Sequence, residues 1–159
     1  MFVGVGSGIA GTVYGTIVAM AILTAAYATV KHPWKLAVIV VDTSLVLWIA
    51  HVYAHSLAAS LEERRRVNVG ELHVIVRREL GILLAAVPPA AMLVLGALGV
   101  VRENTAVWLA FGIGLATLAT QGFRFARFER FGRLGTLATI GVNLALGLLV
   151  VLLKVSVAH

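Results

Sequence analysis

No charged residue occurs between Met1 and Val30. A helix needs about 20 apolar residues to cross roughly 30 Å of hydrocarbon, and this run is longer than that. Lipid offers no water to its backbone groups, so a lone apolar run can satisfy them only as a helix. Four further apolar runs follow, separated by short charged islands. Spans are expected at about 5–30, 36–60, 80–101, 105–123 and 134–153. The predicted fold is an all-α polytopic integral membrane protein, with residues 1–159 forming a single transmembrane domain of five helices.

Composition supports this and removes several alternatives. The chain is 60% hydrophobic and 13% charged, whereas soluble domains carry about 25% charged residues. There are no cysteines, which excludes disulfides, thiolate nucleophiles and cysteine-ligated metals. The net charge of +6 comes from residues that flank apolar spans. Anionic lipid headgroups are therefore the expected partners rather than nucleic acid. Ala26-Tyr27-Ala28 matches a small-x-small cleavage pattern. The apolar stretch before it is too long for a signal peptide and has no preceding Lys or Arg, so the segment is read as a retained span.

Five spans place the N-terminus, the second connector and the fourth connector on one side. That side carries nine basic residues: Arg64, Arg65, Arg66, Arg77, Arg78, Arg124, Arg127, Arg130 and Arg133. The other side carries four: Lys31, Lys35, Arg102 and Lys154. The positive-inside rule then predicts N-terminus in and C-terminus out, in a bacterial plasma membrane.

Packing signals are plain in the first and third spans. Gly4, Gly8, Gly11, Gly15 and Ala19 recur at helical spacing and predict a close helix–helix face, within or between protomers. Gly6 to Gly11 formally spells GxGxxG. It lacks the preceding strand and the acid about 20 residues on that nucleotide binding requires, so it is read as chance. Pro88-Pro89 withdraws hydrogen bonds from the carbonyls of Leu84 and Ala85. The readings are a packed kink, or a hinge with carbonyls facing a wet cavity.

The second span holds most of the unusual chemistry. At about 100° per residue, Ser44, Trp48, His51, His55 and Glu62 fall along one stripe. Asp42 aligns instead with Tyr53, Ser56 and Ser60. Asn143 lies deep in the fifth span and needs a hydrogen-bond partner. A charge at the bilayer centre costs at least about 2.5–3.5 kcal/mol, which histidine avoids by staying neutral. Three readings stay open. The stripe could line a proton or cation pathway, since intramembrane ionisable groups mark such pathways and histidine passes protons near neutral pH. The HxxxH spacing of His51 and His55 could hold a metal or haem, although no other span contains a histidine. Or the histidines could be hydrogen-bonded structural groups.

The fourth connector repeats F-x-R three times from Phe125 to Arg133. On a helix this places Arg127, Arg130 and Arg133 beside one another. With Arg124, Arg64, Arg65 and Arg66 they form a basic, aromatic skirt expected to bind anionic lipid. Asn68 to Glu79 reads as a capped helical lead-in to the third span.

The core from Trp48 to Ala54, with Asp42 upstream and a charged connector after it, resembles small integral membrane proteins of high-GC bacteria. The likeness covers the second span, and it implies neither function nor residue roles.

The leading expectation is a small homo-oligomeric channel or transporter for protons or cations, without enzymatic activity or cofactor. His51 and His55 are its pathway or gating residues, flanked by Ser44, Glu62 and Tyr53, with Asp42 as outer acid and Asn143 as polar partner. The alternatives are a membrane scaffold or accessory subunit, and a haem- or metal-binding protein ligated by His51 and His55.

Overall fold

A computed structural model describes residues 3–157, with side chains described for 8–150 and 152. Among the described residues the chain is entirely helical: α1 (Val3–Thr29), α2 (Pro33–Glu63), α3 (Val69–Ala97), α4 (Glu103–Phe128) and α5 (Arg133–Val157). All five are long and apolar enough to cross a membrane.

Helix ends follow local chemistry. Pro33 opens α2, where its missing N–H costs nothing, and the His32 ring accepts from the Trp34 backbone N–H at 3.3 Å. Asn68 and Glu71 form a reciprocal capping box at the start of α3. That helix therefore begins eleven residues before the apolar run, as the lead-in reading expects. Between α3 and α4, Gly99 adopts φ +74° and Val100 N–H bonds back to Leu95 O at 3.1 Å. This left-handed stop releases the chain into a short turn.

The fourth connector differs from expectation. Helix α4 continues through Phe128, and then Arg130 takes φ +55° while Phe131 N–H bonds to Ala126 O. This is again a left-handed helix stop. Arg124 and Arg127 thus share α4, Arg130 sits in the turn, and Arg133 opens α5. The F-x-R repeat is therefore broken across two helices instead of forming one basic ridge.

Helices α2, α3, α4 and α5 pack in sequence order as a curved wall, and α1 lies in its hollow, touching all four. The core where they meet includes Met20 and Leu23 of α1, Leu36 and Val40 of α2, Leu93 of α3, and Phe111 and Leu118 of α4. Glycines set how closely the wall approaches α1. A Cβ on Gly15 would stand 2.6 Å from Ile82 O, and Gly81 faces Thr12 and Gly8 in return. At Gly11 and Gly15 the glycine stripe of α1 is thus an intramolecular face against α3, whereas the Cβ position of Gly8 is open and Gly4 lies outside the residues whose side chains are described. The same logic joins α4 to α5, where Gly122 lies against the backbone of Thr139 and Ile140. Pro88 and Pro89 both lie inside continuous α3, Pro88 exposed and Pro89 buried.

Candidate functional site: a histidine–glutamate cleft

At the end of the bundle where α2 stops and α3 starts, the three helices α1, α2 and α3 enclose a cleft of about 210 Å³. Tyr14 of α1, His51 and His55 of α2, and Arg78, Glu79 and Ile82 of α3 line it. Gly11 of α1 also lines it, facing Gly81 of α3.

The imidazoles are oriented by their own helix. His51 Nδ1 lies 3.0 Å from Leu47 O, and His55 Nδ1 lies 3.0 Å from His51 O. A carbonyl only accepts, so Nδ1 carries the hydrogen in both rings. In each neutral ring Nε2 is then the nitrogen with a free lone pair, and it is the position at which a proton or another Lewis acid adds. The Tyr14 ring leans on His51 with centroids 5.0 Å apart, and the two imidazoles are 6.5 Å apart.

Glu79 closes the floor of the cleft. It is 7% exposed, and its Oε1 lies 3.6 Å from His55 Nδ1 and 3.8 Å from Arg78 Nε. Both separations exceed hydrogen-bond reach. The contacts are therefore coulombic, and the permanent one is with Arg78. Arg78 is the permanently charged group beside this buried side chain.

The stripe continues from His51 toward the opposite end of the bundle and stops at Ser44. Ser44 is 2% exposed, and neither its Oγ nor Trp48 Nε1 has a hydrogen-bond partner among the described residues. Beyond Ser44, Val40 and Leu36 are fully buried core. In the other direction Glu62 is exposed at the last turn of α2 and lies outside the cleft.

The other sequence-predicted residues lie elsewhere. Tyr53 is 68% exposed on the outer face of α2. Asp42 is exposed in a separate groove between α2 and α3. Asn143 donates to Thr139 O at 2.9 Å and stands beside Gly122 in the α4–α5 contact, away from the histidines. In the α2–α3 connector, Arg65 pairs with Glu63 and Glu71. The hydrogen bond that Arg65 donates to Glu71, then the charges of Glu63 and Glu71, raise the Arg65 pKa above its ordinary value. Arg124 and Arg127 line a second cleft of about 400 Å³ with Ile9, Phe123 and Phe128.

Sequence reasoning missed Glu79, Arg78 and the placement of Tyr14. The acid closes a charged connector, so its hydropathy reads as solvated. Only the return of α3 alongside α2 shows that it is buried. Among the described residues, no group of three or more His, Asp or Glu side chains is arranged to hold a metal ion.

No family model, curated protein or solved structure matches this chain.

Proposed function

We propose that a multi-pass membrane protein with this cleft moves protons or cations, accepting them at the His51–His55–Glu79 end. The observation that carries the reading is the paired anchoring of both Nδ1 atoms on backbone carbonyls. It leaves two Nε2 lone pairs in one cleft, next to a buried carboxylate. Histidine's reference pKa of about 6.5 suits loading and unloading near neutral pH.

The polar track from the cleft ends at Ser44, so a complete path needs either a rearrangement of the Leu36–Val40 region or a route along a subunit boundary. A symmetric homo-oligomer supplies such a boundary. The orientation proposed is charged connectors inside, in a bacterial plasma membrane. Anionic lipid at the amphipathic cleft between Ile9 and the Arg124–Arg127 turn belongs to the same proposal.

The test is proton flux into proteoliposomes that enclose a pH-sensitive dye, driven by a potassium diffusion potential. Flux above protein-free vesicles, falling at least about tenfold in His51→Ala/His55→Ala protein of unchanged helicity, supports the reading. Undiminished flux in the double variant sinks it.

Two observations favour a second reading, a membrane scaffold or accessory subunit without transport. The Leu36–Val40 plug is fully buried, and each histidine is already bonded within its own helix. On that reading His51→Ala lowers thermal stability and no flux is seen in wild type. A haem or metal at His51 and His55 would need ligands from a second copy, and it would show as stoichiometric metal or a visible absorption band in purified protein.

A further inference from the structure

A second feature, on a different face from the histidine cleft, has its own chemistry. Asp42 lies about 13 Å along α2 from Pro33, at about 1.5 Å per residue. Its side chain is short and cannot snorkel along the helix as long basic side chains do. It is nevertheless exposed on the outer surface of the bundle, and among the described residues it has no ion pair within 4 Å. Lys35 lies two turns away on the same face of α2 and does not pair with it. Lys31 is turned elsewhere, donating to Tyr27 O at 2.8 Å and lying over the Tyr27 ring.

Around this carboxylate α2 and α3 form a groove of about 380 Å³. Its walls are apolar: Val38, Val41 and Leu45 from α2, Ala90 and Val94 from α3, with Asp42 the one charged group among them. Trp34 stands at the end of the groove nearest the start of α2 and is 53% exposed. Ala90, with its small side chain, keeps the α3 wall thin just past the double proline. An acyl chain would fill the apolar part but leave the carboxylate facing hydrocarbon. A neutral partner helix would do the same. Charge complementarity calls for a cation, and the apolar walls call for a cation with an apolar body. The volume falls within the range of about 300–1,000 Å³ typical of small-molecule sites, and an indole at the mouth attracts cations through its ring face.

We propose that this groove binds a lipophilic organic cation from within the bilayer, with Asp42 as counter-ion and Trp34 as the aromatic at its entrance. The site is independent of the histidine cleft, so it stands or falls separately from proton movement.

The experiment is titration calorimetry of full-length protein in lipid nanodiscs with tetraphenylphosphonium. Binding is expected for wild type, retained in Asp42→Glu, and weakened at least about tenfold in Asp42→Asn. Val38→Trp keeps the charge but fills the groove, and it should weaken binding by a similar factor. His51→Ala/His55→Ala should bind as wild type does. Equal binding by wild type and Asp42→Asn overturns the proposal, as does full binding by Val38→Trp. Disulfide formation between two copies through Leu45→Cys, with no binding of the cation, overturns it in favour of a second copy as occupant.

Discussion

His55 Nδ1 lies 3.6 Å from Glu79 Oε1, so the end of α2 meets the start of α3 through an imidazole and a buried carboxylate. Arg78 Nε, 3.8 Å from the same oxygen, supplies a permanent positive charge beside it. Arg78→Ala should therefore destabilise the protein by about 1 kcal/mol, the arginine being half exposed and its pair screened accordingly. The loss should shrink in an Arg78→Ala/Glu79→Gln double variant, because the carboxylate that needed the charge is gone. Unfolding of the four proteins of this cycle in one detergent measures the coupling. Strictly additive effects would show that the two charges do not interact.

The approach of α1 to α3 leaves no room for a methyl group at Gly15. Gly15→Ala should cost about 1–3 kcal/mol through overpacking against the Ile82 backbone. Gly112, whose Cβ position is open, is the control. There the same change should be neutral or stabilising by up to about 1 kcal/mol, since alanine is the better helix former. Thermal unfolding reads both, and equal effects at the two sites would refute the close contact.

Asn68 and Glu71 together satisfy two backbone N–H groups at the start of α3. Asn68→Ala should cost about 0.5–2 kcal/mol and raise amide exchange in the first turn of α3 ahead of the rest of that helix. Uniform exchange along α3 in the variant would show that the cap does not hold this turn.

Much of the fold is legible in the sequence because lipid narrows the options. The uncharged run before Lys31 is long enough to read as a spanning helix, which α1 (Val3–Thr29) is, and Asn68 with Glu71 marks where α3 begins. The glycine spacing from Gly8 to Gly15 predicts a packing face, though not that α3 covers it. Arg130 shows the limit for local structure. Helical spacing of the F-x-R repeat predicts one ridge, but a left-handed residue breaks it, and arginine carries no signature of that conformation. The site is half legible. His51 and His55 share a face by spacing alone, whereas Glu79 enters only when α3 folds back along α2. Polarity alone groups Asn143 with the histidines, and the packing of α5 on α4 places it elsewhere.

The sequence contains no cysteine, so single cysteines report sidedness without interference. In right-side-out cells or vesicles, an impermeant maleimide should label Lys35→Cys from outside and leave Arg130→Cys unlabelled until the membrane is opened. The reverse pattern would overturn the orientation drawn from the arginine-rich connectors.

The unpartnered Trp48 Nε1 and Ser44 Oγ mark the blind end of the polar stripe. An indole N–H that meets no acceptor emits in the blue, and contact with water shifts its emission to the red. Trp34 and Trp108 are the two other tryptophans. With both replaced by phenylalanine, the emission colour of Trp48 becomes an optical gauge of how far water advances past the histidines. The chain thus carries its own hydration probe at the point where a conducting state and a sealed one would differ.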